Sequence, residues 1–227
     1  AGLEWLQQHF GKRSLADDAA PAAAVAQRGF FIGRNMVEWV GRLKGQISQS
    51  PELSAMYLPG GAPVALGTLI RQPNLARTIQ QFGAQGARIF YSGSVAEKYV
   101  AASQAAGSKI EMSDLAAYRV KERAPLQRVV DGRTIVTMPP PSAGGVMLLE
   151  TTGMFGASAS SSLKPMGFGS SQYLHMMAEA MRGAVADRAR VIGDPDMFST
   201  MTSDVDKLLD PKQLAARKSH IDPMKTR

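Results

Sequence analysis

The chain has 227 residues, 44% hydrophobic and 20% charged, which excludes disorder along its whole length and suits one large domain or two small ones. It has no cysteine, so disulfides, thiolate nucleophiles and Cys-ligated zinc are removed together, and no run approaches the roughly 20 apolar residues of a membrane-spanning helix. Lys and Arg number 26 against 19 acidic residues, a net charge of +7; the basic residues are scattered and not interleaved with aromatics, so a solvated basic surface is expected and a nucleic-acid interface is not. Ala1-Gly2-Leu3-Glu4-Trp5 has neither the basic start nor the apolar run of a secretory signal.

Taken in order, the chain reads mostly as helix. Leu3, Leu6 and Phe10 share a face of a short first helix that Gly11 can end. Ser14 stands three before Asp17 in a capping-box pattern, and Pro21 suits the first turn of a helix running to Arg28, with Gly29 as its stop. Met36, Val40, Leu43 and Ile47 form one stripe of an amphipathic helix that gives out at Ser50-Pro51, and Pro59-Gly60-Gly61 marks a turn. Pro73 can open the next helix, with Leu75, Ile79 and Phe82 on its buried side before Gly83. Ser94 with Glu97 predicts a capping box for a helix ending at Gly107, and Ser113 predicts the cap of a short helix through Tyr118.

Then the period changes. Leu126 to Val130 and Thr134 to Met138 flank Asp131-Gly132, a β-hairpin signal because both positions of such a two-residue turn need positive φ. Pro139-Pro140-Pro141-Ser142-Ala143-Gly144-Gly145 leads abruptly from strand into a helix of about ten residues. A Gly/Ser-rich surface loop follows over 156–162. Ser170 or Ser171 caps the longest helix, which runs to Val191 with Leu174, Met177, Met181 and Ala184 inward. Gly193-Asp194-Pro195-Asp196 breaks it, and Asp210-Pro211 opens the last helix.

From these residues alone no competent active site emerges. His9, His175 and His220 are far apart, none belongs to a metal-binding His pair, and each reads as a surface or hydrogen-bonded residue. No Gly-x-Ser-x-Gly elbow occurs. Ser142 to Gly145 is either an anion nest at a helix N-terminus or a set of glycines that lets the helix approach the sheet, and both readings stay open. Glu179 and Arg182 read as an i,i+3 salt-bridged helix face with Asp187 further along, and Asp194 and Asp196 as loop-shaping residues of an Asp-Pro-Asp turn rather than metal ligands.

In this order the segments resemble the gamma-glutamyltranspeptidase family, including its cephalosporin acylase-like members. The resemblance rests on Met138 to Gly145, supported by Phe90-Tyr91-Ser92-Gly93, Asp114-Leu115-Ala116-Ala117-Tyr118, Glu179-Ala180 through Ala186-Asp187-Arg188, and Gly193-Asp194-Pro195-Asp196. Ala143 stands where a second Ser is frequent in the family.

The resemblance implies an α+β fold: the helix-rich portion of a four-layer αββα N-terminal nucleophile hydrolase sandwich, with a β-hairpin around Asp131-Gly132. It implies a precursor that cuts itself into two subunits, and a Thr at the small subunit's N-terminus that attacks gamma-glutamyl amides using its own α-amino group as base. The glutamyl group then passes to water or to an amino-acid or peptide acceptor. Residues 1–227 are expected as a single piece, the middle and C-terminal part of the large subunit. The nucleophile segment falls beyond Arg227, and the arginine that grips the substrate carboxylate falls before Ala1. Thr200, Thr202 and Thr226 lack the nucleophile's sequence context. No catalytic or substrate-binding residue is therefore expected in this chain, which alone should be inactive. Pro139, Pro140, Pro141, Ser142, Gly144 and Gly145 are expected to be a structural loop. No cofactor or metal is expected, the partner is the small subunit, and the compartment is periplasmic or extracellular. Two alternatives stand beside this: a stand-alone binding or scaffold domain without catalysis, and a cephalosporin or glutaryl acylase-type amidase.

Overall fold

The computed structural model describes residues 1–130, 132–155 and 163–226, and forms two compact units, Ala1–Lys121 and Glu122–Arg227. The fold is α+β and helix-rich, with two small antiparallel sheets among the described residues.

The first unit contains α1 (Gly2–Phe10), α2 (Leu15–Arg28), β1 (Phe30–Phe31), α3 (Arg34–Arg42), α4 (Lys44–Ile47), α5 (Pro51–Tyr57), β2 (Leu69–Ile70), α6 (Pro73–Gln85), α7 (Arg88–Tyr91), α8 (Ser94–Ala105) and α9 (Met112–Ala117). Its tightest packing joins α2 to α6, which run antiparallel. Gln72 N–H donates to Ala26 O at one end, and at the other a Cβ on Gly83 would sit 3.0 Å from Ala16 Cα. Buried Ala19, Ala23, Ala26 and Ala76 keep this interface thin, because small side chains let two helix backbones approach. β1 and β2 pair antiparallel, Phe30 with Ile70 and Phe31 with Leu69, over a core of Ile32, Val64 and Ile70. Gly29 feeds this pair at φ +92°, where a Cβ would lie 2.6 Å from Ile70 O, so only glycine fits.

Several sequence expectations change here. Pro21 lies inside α2 rather than at its start, because Ser14 Oγ accepts from Asp17 N–H and begins the helix at Leu15. Pro21 and Asp17 are both exposed, so water can serve the carbonyl that the missing N–H leaves open. The stripe from Met36 to Ile47 divides into α3 and α4 at Leu43 (φ −95°, ψ 9°), between Gly41 and Gly45, and only Val40 of it is buried. Ser50-Pro51 does not end structure but starts α5, Ser50 Oγ accepting from Leu53 N–H. Helix α6 continues through Gly83 to Gln85, and its buried residue is Ala76. Ser94 is the first residue of α8 and makes no cap bond; left-handed Gly93 precedes it. Glu111, not Ser113, caps α9 in a capping box with Asp114, whose Oδ2 accepts from Glu111 N–H at 2.8 Å.

The second unit contains β3 (Leu126–Val130), β4 (Arg133–Thr137), α10 (Ala143–Gly153), α11 (Ser171–Val191), α12 (Met201–Leu208) and α13 (Pro211–Ser219). β3 and β4 form the expected hairpin, in register from Leu126 opposite Thr137 to Val130 opposite Arg133. Gly132 has φ +73°, while Asp131 and the Gly/Ser-rich loop over 156–162 lie outside the described residues. Met154, Phe155, Leu163, Met176, Ala180, Leu214 and Ile221 make the main core, and Val146, Met201 and Val205 a second one. Ser170 caps α11 through Tyr173 N–H, and Asp210 caps α13 through Lys212 and Gln213 N–H. Helix α12 follows Thr200, which makes no side-chain cap bond.

The inward face of α11 also differs. Met176, Glu179, Ala180, Ala184 and Asp187 are buried, whereas Leu174 and Met181 are exposed. Alanines at 180 and 184 allow α10 to pack closely, a contact that Leu174 and Met181 would hold apart.

Candidate functional site

The family-motif loop is built on the hairpin's exit. β4 ends at Thr137, Ser142 N–H donates to Pro139 O, the Pro140–Pro141 peptide is cis, and α10 begins at Ala143. Gly145 is buried, and a Cβ there would run into Met138 O and lie 2.8 Å from Thr137 Oγ1. Gly144 is exposed, and a Cβ there would meet only Ser142 Oγ, at 4.0 Å. One glycine thus sets the helix against the end of the strand and the other does not. Ser142 precedes the helix without a side-chain cap bond.

The other motif segments take ordinary structural partners. The rings of Tyr91 and Tyr118 stack at 5.2 Å, joining two of the segments; burial, then the neighbouring Tyr118, pushes the Tyr91 hydroxyl pKa up. In the Asp-Pro-Asp turn, Asp194 Oδ1 accepts from Asp196 N–H at 3.0 Å. Arg123 spans both acids, 3.5 Å from Asp194 Oδ1 and 3.0 Å from Asp196 Oδ2, which places a guanidinium where a metal would have to bind. No group of three or more His, Cys, Asp and Glu among the described residues could hold a metal ion.

The histidines are not brought together. His9 stacks on Trp5 and its Nδ1 lies 2.8 Å from Trp5 O, His175 Nε2 lies 2.8 Å from Asp222 O, and His220 is the C-cap of α13.

The strongest electrostatic feature was not visible as a site in the sequence. Glu179 makes the expected i,i+3 pair with Arg182 at 2.8 Å, but both it and Asp187 are buried, and Asp187 Oδ1 accepts from Arg190 Nη2 at 2.8 Å. Glu150 on α10 is completely buried, its Oε1 accepting from Arg217 Nη1 at 2.6 Å. Arg217, on α13, also makes an ion contact with Asp187 Oδ2, so one guanidinium ties three helices together. Burial pushes the Glu150 carboxyl up to about 7, with Arg217 acting against it. The available signal was period: Val146, Leu149, Glu150 and Gly153 share one face of α10, and Glu150 is the charge in that apolar stripe.

All 227 residues match the gamma-glutamyltranspeptidase family. The chain belongs to this family. It is 31% identical over 226 residues to a glutathione hydrolase proenzyme of Pseudomonas sp. (strain A14), covering 99% of this chain and 38% of that protein. It is 33% identical over 186 residues to the acylase ACY 1 proenzyme of Pseudomonas sp. (strain SE83), covering 82% of this chain and 33% of that one. The crystal structure of Helicobacter pylori gamma-glutamyltranspeptidase superposes with a TM-score of 0.86 at 30% identity, covering all of this chain and 63% of that chain. The chain thus spans about a third of the length of the curated relatives it matches. No helix among the described residues is long and apolar enough to cross a membrane.

Proposed function

We propose that these residues are the middle and C-terminal part of the large subunit of a gamma-glutamyl amide-cleaving enzyme. Its nucleophile is a Thr at the N-terminus of a partner subunit, cut from the same precursor. The observation that carries this reading is the likeness to the Helicobacter pylori gamma-glutamyltranspeptidase along the entire chain. An N-terminal Thr supplies both hydroxyl and base, so this chain need not contribute a histidine, and its three histidines engage backbone or cap a helix. The acyl-enzyme passes the glutamyl group to water or to an amino-acid or peptide acceptor, and the compartment is periplasmic or extracellular. In this arrangement the loop from Pro139 to Gly145 is structural: it seats α10 against the hairpin through Gly145 and leaves the chemistry to the partner.

The names of two relatives, both proenzymes, support self-cleavage. The acylase ACY 1 relative, 33% identical over a shorter stretch, supports a second reading as an acylase, for which we take the acyl group to be a glutaryl or cephalosporin side chain. Expression of the complete precursor tests both. Intact-mass measurement with N-terminal sequencing should show two polypeptides, the smaller beginning with Thr. The purified pair should release amine from a gamma-glutamyl anilide faster than from a glutaryl anilide. The reverse preference would establish the acylase reading, and an uncleaved precursor without either activity would remove both in favour of a scaffold.

A further inference from the structure

Two buried carboxylates, Glu150 and Asp187, converge on one guanidinium, and their four oxygens are served unequally. Asp187 has Arg190 on Oδ1 and Arg217 against Oδ2, whereas among the described residues Glu150 has the Arg217 bond to Oε1 alone. Glu150 Oε2 and Asp187 Oδ2 are both buried without a hydrogen bond, but Asp187 Oδ2 has the Arg217 ion contact and Glu150 Oε2 has no ion pair among the described residues. An ionised Glu150 would therefore hold a carboxylate oxygen out of water without a donor, whereas a protonated one leaves an unpaired hydroxyl, a smaller cost.

The charged groups on the surrounding elements do not relieve this. On α11, Glu179 is taken by Arg182 and Asp187 by Arg190 and Arg217. On β3, the Arg128 guanidinium lies against Gly153 and donates to Leu209 O at 3.1 Å. On α13, Lys218 Nζ lies over the Phe155 ring, 5.9 Å from its centroid. That leaves Arg217, which sits three residues after Leu214, the fully buried residue by which the same helix enters the core.

We infer that Glu150 is a proton-operated latch for helix α13. With the carboxyl protonated, Arg217 holds Asp187 together with Arg190 and donates to a neutral Glu150, and the helix is seated. With the carboxylate formed, a charged oxygen without a donor is held out of water, and undocking, which would hydrate it, is favoured.

The pKa of Glu150 supports the geometry: burial raises it from 4.5 to about 7 while the helix is docked, and exposure to water on undocking would return it toward 4.5. A carboxyl whose pKa is raised in the docked state binds its proton more tightly there. Docking is therefore favoured at low pH and weakens as pH rises through the docked pKa, by about tenfold between pH 6 and pH 8.

Hydrogen exchange by mass spectrometry on the intact protein tests this, with each rate corrected for the intrinsic pH dependence of exchange. Protection of peptides covering Pro211–Ser219 should fall about tenfold from pH 6 to pH 8, while that of α2 and α6 peptides stays level. Glu150→Gln should keep the protection of α13 equal at the two pH values. Should that variant not fold, the carbon-13 carboxyl shift of Glu150 in the wild type should titrate near 7. Wild-type protection of α13 that does not change with pH would overturn the latch. So would a Glu150 midpoint near 4.5, or a Glu150→Gln variant that loses protection as the wild type does.

Discussion

Neighbouring glycines in one motif carry different constraints. Gly145 stands where any Cβ would meet Met138 O and Thr137 Oγ1, so Gly145→Ala forces α10 off the end of β4. The expected cost is about 1 to 3 kcal/mol, the range for overpacking a closed site. Gly144 faces open space near the start of a helix, where alanine is the better helix former. Gly144→Ala should be neutral or stabilising by up to about 1 kcal/mol. Urea unfolding of the two variants in the mature protein measures both, and equal losses would show that the loop acts through something other than packing. The sequence shows two glycines beside a proline run, and the family resemblance implies a structural role for both. Which one is obligatory depends on a carbonyl seven residues back and on how sharply the chain turns between them.

Helix starts depend on which side chain reaches an unpaired backbone N–H. Asp210 and Ser170 were readable because a short polar residue directly precedes a good first turn, and in the structure both accept from the expected N–H groups. Ser94 and Ser113 have the same composition, but Gly93 and Glu111 take the position before the helix. Asp210→Ala should therefore lower stability by about 1 kcal/mol, while Ser94→Ala, which loses no cap bond, should stay within about 0.5 kcal/mol. Denaturation midpoints of the two single variants decide this, and a Ser94→Ala loss as large as that of Asp210→Ala would contradict the observed start of α8. Helix faces were harder to read than helix starts. The apolar period of α11 favoured Leu174 and Met181, but close approach of α10 selects the small residues at 180 and 184 instead. Two carboxylates then enter the interior because arginines from the same helix and from α13 reach them.

At the scale of the whole chain, a net charge of +7 is the feature most open to misreading. Several of its arginines are occupied internally: Arg123, Arg182, Arg190 and Arg217 all pair with carboxylates, so they are not a free phosphate-binding stripe. Fluorescence anisotropy with a labelled DNA duplex should show no saturable binding even at low salt. Tight binding that falls steeply with added salt would restore the nucleic-acid reading.

Fold class, hairpin and family were determined by the sequence itself. They follow from local period, from turn chemistry at Asp131-Gly132, and from five short segments in a fixed order. Such signals depend on residues close together in the chain and survive without knowledge of what packs on what. The buried Glu150, Asp187 and Arg217 group, the obligatory Gly145 and the inward face of α11 were decided only by tertiary structure. Their physical cause is proximity between residues far apart in sequence: Arg217 lies 67 residues from the carboxylate it binds on α10. Burial changes what a glutamate costs and whether it holds a proton, and burial is set by the neighbours that the fold brings to it.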